Sequence, residues 1–262
     1  MNYQTIQYSV TDGVARLTLN RPERLNSFNG EMHAEVRTAL ARVADDGARV
    51  LLLAGAGRGF CAGQDLGDRQ VAPGGARADL GESIERNYKP LILTLKALPM
   101  PVIAAVNGVA AGAGASLALA CDIVIAARSA SFIQAFCRLG LVPDSGATWF
   151  LPRLVGNARA LGLAMLGERL GAAEAAQWGL IWRCVEDAEF PAAVDRLAAE
   201  LAAAPTRGVV RTREAILGSW QQSLAGQLDV ERDLQRELGY TEDYAEGVAA
   251  FTEKRAPRFT GR

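Results

Sequence analysis

Two glycine-rich segments carry the residues best placed for chemistry. The first is Arg58-Gly-Phe-Cys-Ala-Gly-Gln-Asp-Leu66 and the second is Asn107-Gly-Val-Ala-Ala-Gly-Ala-Gly-Ala-Ser116. Each follows a stretch that reads as a buried strand. Glycine has no Cβ and tolerates positive φ, so these segments can present bare backbone N–H groups to a ligand at close range. The second runs into Ala115-Ser-Leu-Ala-Leu-Ala120, mostly strong helix formers, which puts its amides at a helix N-terminus. One N–H from each segment, aimed at one oxygen, makes an oxyanion hole able to hold an enolate.

The elements that must position these segments follow from pattern. Val14-Ala-Arg-Leu-Thr-Leu19 alternates as a strand does, and Arg21-Pro22 ends it. A helix is expected from Asn29 or Gly30 to about Val43. Val50-Leu-Leu-Leu-Ala54 and Val102-Ile-Ala-Ala-Val106 are continuous apolar runs, as buried parallel strands are. Residues 67–78, rich in Gly, Ala and Pro, read as a mobile loop, and a helix from about Asp79 to Ala97 is stopped by Pro99 and Pro101. Further strands are expected at Ile123–Ala126 and Ile181–Val185, then helices over 190–203, 206–217, 223–238 and 242–254. Strand–helix alternation followed by helices predicts an α/β core with an α-helical C-terminal part. The residues themselves show no internal repeat.

Bulk properties narrow the function. The 262 residues are 50% hydrophobic, and 28 basic against 29 acidic residues give a formal charge of −1. That suffices for a sizeable core and leaves no nucleic-acid footprint. Met1-Asn-Tyr-Gln-Thr-Ile6 lacks a charged-then-apolar leader pattern, and no apolar run is long enough to span a bilayer. Cys61, Cys121, Cys137 and Cys184 are widely spaced, which points to buried thiols in a reducing cytoplasm rather than a disulfide framework or a metal site.

Five stretches in order resemble the crotonase, or enoyl-CoA hydratase/isomerase, superfamily. They are Leu19-Asn-Arg-Pro-Glu-Arg-Leu-Asn26, Phe60-Cys-Ala-Gly-Gln-Asp65, Pro101-Val-Ile-Ala-Ala-Val-Asn-Gly108, Ala120-Cys-Asp-Ile123 and Phe251-Thr-Glu-Lys-Arg255. The resemblance implies a spiral core of ββα units over 1–200 and a helical region over 201–262 that trimerises, giving a homo-trimer or a hexamer built as a dimer of trimers. It implies an acyl-CoA thioester substrate, no metal, and no cofactor beyond the CoA moiety itself. The two oxyanion donors become the N–H groups of Gln64 and Ala113, beside Gly112. Arg24, next to Leu25, matches the basic residue at the CoA phosphates. The loop Cys61, Ala62, Gly63, Gln64, Asp65 and Leu66 would bracket the adenine. Lys254 matches a residue that reaches CoA from a neighbouring subunit.

The same resemblance separates reaction types. Hydratases of the family use two glutamates, and Ser116 and Phe136 occupy those positions here. The carboxylate that remains, Asp144, occupies the place of catalytic aspartates in some branches. Leu139, Leu141, Val142 and Pro143 around it are expected to raise its pKa and make it a better base. The residue types alone also allow Pro143-Asp144-Ser145-Gly146 to be a turn or helix cap. The dehalogenase branch needs a tryptophan and a histidine where Phe136 and Lys89 stand. A lone base beside an oxyanion hole suits proton relocation, and the stretches around both glycine segments resemble the isomerase branch acting on ring-epoxidised phenylacetyl-CoA. The alternatives are a general enoyl-CoA isomerase of fatty-acid degradation and a non-catalytic acyl-CoA binder. Phe136, Leu141, Trp149 and residues of 67–88 are the expected acyl-pocket lining. Asp65 has a second reading, as a cap on its own loop. His33 is expected at the surface or an interface.

Overall fold

The computed structural model describes residues 2–67 and 79–262. Apart from Gly67, the loop expected over 67–78 lies outside the described residues. The chain opens with the antiparallel pair β1 (Ile6–Thr11) and β2 (Val14–Leu19). Then α1 (Gly30–Arg42) begins, capped by the Asn29 side chain, which accepts from the Met32 N–H. Three strand–strand–helix units follow. In the first, β3 (Val50–Gly55) and β4 (Gly59–Cys61) precede the short α2 (Leu80–Ser83), a π-helical turn (Ile84–Tyr88) and α3 (Lys89–Ala97). The second is β5 (Val102–Val106), β6 (Val109–Ala111) and α4 (Ala113–Ala120). The third is β7 (Ile123–Ala127), β8 (Ser131–Ile133), a 3₁₀ turn (Ala135–Leu139) and α5 (Ala147–Leu166), which breaks at Gly156 (φ 73, ψ 164).

After these come β9 (Arg169–Gly171), α6 (Ala172–Trp178), β10 (Arg183–Val185), α7 (Phe190–Ala203), α8 (Thr206–Gly218), α9 (Leu224–Leu238) and α10 (Glu242–Glu253). The first strands of the units join β1, β2 and β10 in a six-stranded sheet, ordered β1-β2-β3-β5-β7-β10. The second strands form a smaller sheet, ordered β4-β6-β8-β9. Repetition lies in this topology: each unit contributes a long strand to one sheet and a three-residue strand to the other. The result is the α/β spiral of ββα units that the family resemblance implies.

The apolar runs are continuous because both faces of the large sheet are covered. Leu51 and Leu53 of β3 face the main core with α1, α3 and α4, while Val50 and Leu52 face a second core under α7, with Ala193, Val194, Ala198 and Ala202. The strand and helix expectations outside the small sheet match the observed elements to within a few residues. The differences are β1, the four short strands, α5 and α6, which the sequence pattern leaves unassigned. Three residues are too few for a period to show, and α5 is punctuated by Pro152, Gly156 and Gly162.

One polar hub ties the layers together. Asp122 accepts from Lys96 Nζ (3.0 Å), the Val102 N–H (2.9 Å) and Arg213 (3.1 Å), while Lys96 also donates to the Ala120 carbonyl at the end of α4 (3.1 Å). Arg213 also donates to the carbonyls of Leu98 and Met100. Asp122→Ala leaves two largely buried cations without their shared anion. The expected loss is about 3 kcal/mol, read as an earlier urea midpoint at unchanged slope.

Candidate active site

The strands deliver both glycine segments to one place. β4 and β6 lie inside them and pair in parallel, Gly59 with Val109 and Cys61 with Ala110. The segments then touch backbone to backbone. A methyl group built on Gly63 (φ 91) would lie 2.9 Å from the Ala111 carbonyl oxygen and 3.1 Å from Ala113 N. One built on Gly114 would collide with the Cys61 carbonyl oxygen and sit 2.7 Å from its carbon. Glycine is required at both positions by this approach.

The neighbouring hydrogen bonds aim the two candidate donors. In a trans peptide the C=O and the following N–H point in opposite directions. The Gly63 carbonyl accepts from the Phe28 N–H (2.7 Å), so the Gln64 N–H faces away from Phe28. The Gly112 carbonyl accepts from the Ser116 N–H (3.1 Å) and the Ser116 hydroxyl (3.2 Å), so the Ala113 N–H points out of the head of α4. Ala113 is the first residue of that helix, where N–H groups have no intrahelical partner and the helix dipole is positive.

The two residues read by resemblance as standing in place of the hydratase glutamates belong to this region. Ser116 is fully buried and bonded to the Gly112 carbonyl. Phe136 is buried with its ring tip 3.8 Å from where a Gly112 Cβ would be. The Leu141 N–H donates to the Phe136 carbonyl (3.0 Å) and closes the turn. Asp144 follows three residues later, half-buried, accepting from the Ser145 hydroxyl (2.8 Å) and, through its backbone carbonyl, from the Ala147 N–H (3.0 Å). Gly146 is the N-cap of α5, and the bond from the Ala147 N–H to the Asp144 carbonyl makes Pro143-Asp144-Ser145-Gly146 the turn into that helix, as its residue types allow. Among the described residues the apolar neighbours expected to shelter it are themselves open: Leu139, Leu141 and Val142 are 58%, 37% and 77% exposed.

Around the first segment, Leu25 sits in the left-handed region (φ 48) and its carbonyl accepts from the Ala62 N–H (2.9 Å). Arg24 is exposed beside it. Cys61 is fully buried, its thiol directed at the Asn26 carbonyl (3.1 Å), and burial pushes that thiol up to about 12. Cys61 therefore contributes to the loop through its backbone, not as a side chain facing a ligand. Leu66 is exposed. Asp65 engages both oxygens locally, one with the Gly67 N–H (3.0 Å) and one with Arg21 (2.9 Å), which is its loop-cap reading. Burial works to raise its pKa, but the Arg21 and Gly67 bonds outweigh that and hold the carboxyl below its ordinary 3.8. A depressed folded-state value adds stability above the unfolded value, lost only as pH falls through the folded one. The clamp is thus intact throughout the neutral range.

Lys254 does not join the others in this chain. It ends α10 in the left-handed conformation and is exposed. The tail beyond it is anchored by Arg49, which donates to the Phe259 carbonyl (2.8 Å) at the start of β3, whereas the first glycine segment follows the other end of that strand. Trp149 also lies elsewhere. It stacks on Arg153 (4.1 Å) in a groove with Leu119, Ile216 and Trp220, at the opposite end of α4 from Ala113.

Three site residues escape a reading of the sequence. Asn26, fully buried, donates to the carbonyls of Ala56, Gly59 and Phe60 and accepts from the Arg21 N–H, so it holds the first segment from beneath. Arg21 holds Asp65 and the Ser27 carbonyl. Tyr88 donates its hydroxyl to Gln64 Oε1 (2.9 Å). Asn26 and Arg21 lie within a stretch whose resemblance is visible, but nothing in their types announces these bonds. His33 is a correction: it is 4% exposed, packed between Phe28 (4.7 Å) and Tyr88 (4.6 Å), because α1 turns that face inward.

Comparison with known proteins bears on this arrangement. Residues 9–262 match the profile of the Enoyl-CoA hydratase/isomerase family. The chain is 58% identical over 254 residues to the 1,2-epoxyphenylacetyl-CoA isomerase of Escherichia coli (strain K12), covering 97% of each. It is 39% identical over 267 residues to the trans-2-decenoyl-[acyl-carrier-protein] isomerase of Streptococcus mutans, spanning all of both. Its fold superposes on the crystal structure of an enoyl-CoA hydratase from Bacillus anthracis with a TM-score of 0.89 at 34% identity, covering 99% of this chain and all of that one.

Proposed function

The chain belongs to the enoyl-CoA hydratase/isomerase family, and from that premise we propose that it is a CoA-thioester isomerase converting 2-(1,2-epoxy-1,2-dihydrophenyl)acetyl-CoA to oxepin-CoA. The N–H groups of Gln64 and Ala113 donate to the thioester oxygen. Asp144 takes the proton α to the carbonyl, and the resulting enolate charge rests on that oxygen. Ring expansion follows, and Asp144 returns the proton to the ring. No atom is gained or lost, so no co-reactant is needed.

The observation that carries this reading is the pair Ser116 and Phe136, packed against Gly112 where water addition would need two carboxylates. A hydroxyl bonded to a backbone carbonyl and a phenyl ring cannot activate water, which supports proton transfer as the reaction, with Asp144 as the assigned base. The 58% identity to an isomerase of this substrate supports the acyl group. Arg24, Leu25 and the loop Ala62, Gly63 and Leu66 bind the CoA moiety, and Phe136 and Leu141 line the acyl end.

Assembly as a trimer, or as a hexamer of two trimers, belongs to the same proposal. It would bring Lys254 of a neighbour to the CoA and cover Leu139 and Val142. Large apolar side chains exposed on the outer helices, among them Trp220 (65%) and Leu224 (78%), support such contacts, with residues 201–262 as the assembly region. Cytoplasmic residence belongs to the same proposal and is supported by the four free cysteines; among the described residues no helix is long and apolar enough to cross a membrane.

A substrate panel tests the reading. Purified protein should turn over the ring-epoxide thioester with a kcat/KM at least tenfold above that for a 3-enoyl-CoA, and should hydrate crotonyl-CoA negligibly. Preference for the straight chain would assign it instead to double-bond isomerisation, and binding without turnover of either would make it an acyl-CoA binder.

A further inference from the structure

Gln64 is gripped from three directions, two through the flanking peptides and one through the side chain. Phe28 takes both flanking peptides: its N–H donates to the Gly63 carbonyl (2.7 Å) and its carbonyl accepts from the Asp65 N–H (2.9 Å). The third grip is on the side chain, where Tyr88 donates to Oε1 at 2.9 Å. The other bond of that amide, Nε2 to the Asp65 carbonyl, is a weak 3.5 Å. Tyr88 is 2% exposed, at the end of the π-helical turn before α3. Such wide turns recur at functional sites. Its ring stands edge-on to His33 (90°) and tilted against Phe28 at 6.2 Å, so the hydroxyl comes from a fixed aromatic wedge. A phenylalanine would fill the same volume. Burying a hydroxyl instead requires a partner, and this hydroxyl donates to the side chain of the residue whose N–H is the proposed donor.

We propose that Tyr88 is a positioning residue for the first oxyanion donor: through Gln64 Oε1 it stops the Gln64 Cα from rolling and keeps the Gln64 N–H aligned on the thioester carbonyl. The inference rests on the role given to that N–H above. Complete removal of an oxyanion-hole donor costs about 10²–10³ in kcat. Loosening one should cost less, roughly tenfold.

The test is Tyr88→Phe, with Gln64→Leu removing the same bond from the other end. In Tyr88→Phe, kcat should fall roughly tenfold with KM unchanged. The infrared band of the thioester carbonyl of bound phenylacetyl-CoA should move back toward its position in water. Gln64→Leu should move the band the same way, and the double variant no further than either single one. Gln64→Leu carries the test by itself if Tyr88→Phe does not fold. An unmoved band in both single variants, or a Tyr88→Phe loss that repeats undiminished in the Gln64→Leu background, overturns the proposal. The band reads binding without turnover, so it answers even where the substrate assignment is wrong. If the wild-type protein does not shift the carbonyl band on binding, the donor reading itself fails and takes this proposal with it.

Discussion

Asp144→Asn lowers kcat by about 10³-fold while KM and the melting temperature stay close to wild type. The size follows from the role. Asparagine keeps the shape of the side chain and can still accept from the Ser145 hydroxyl, which lies 2.8 Å from Oδ1, but it cannot take a proton. The local turn survives, because the bond that closes it toward α5 runs from the Ala147 N–H to the backbone carbonyl of residue 144. CoA recognition, as proposed through Arg24 and the first glycine segment, survives because those residues are untouched. Steady-state kinetics on the ring-epoxide thioester decide the matter. Activity retained within tenfold of wild type would move the base elsewhere, and a parallel rise in KM would make Asp144 a binding group.

Gly114→Ala has the second large effect, through geometry instead of proton transfer. The added methyl meets the carbonyl of Cys61, and neither side of that contact is a flexible side chain. The two segments must separate, which spoils the relation between Gln64 and Ala113. The expected loss is about 10² in kcat, with about 2 kcal/mol of stability lost to overpacking. Gly162→Ala is the control. Nothing lies within 4 Å of its Cβ position in α5, so helix propensity should make that change neutral or stabilising by up to about 1 kcal/mol. Equal kinetics in the two variants would show that the close approach at Gly114 does not align the donors.

The glycine segments were legible in the sequence because the role proposed for them is carried by backbone: spacing alone shows where side chains are missing. The long strands other than β1 and the C-terminal helices were legible for a related reason, since each keeps its apolar run or its period over five residues or more. The small sheet was not, because its strands lie inside the glycine segments and are three residues long. Lys254, read by resemblance as a ligand to CoA, stands exposed at the end of α10 and does not join the glycine segments in this chain. His33 was misread because one histidine on an amphipathic helix has no partner visible in the sequence, while the fold sets it between Phe28 and Tyr88. Tyr88 was passed over for the same reason: its meaning is a hydrogen bond to a residue 24 positions away.

The central claim is that Asp144 forms an enolate at the carbon α to a CoA thioester. Its most direct measurement is hydrogen exchange into phenylacetyl-CoA in D₂O, followed by mass spectrometry. This ligand has the acidic α position but no epoxide, so exchange reads proton removal apart from ring chemistry. The wild-type protein should wash deuterium into the α carbon far faster than buffer does, and Asp144→Asn should reduce that to the buffer rate. Rapid exchange that persists in Asp144→Asn, or no exchange with the wild-type protein, would contradict the account.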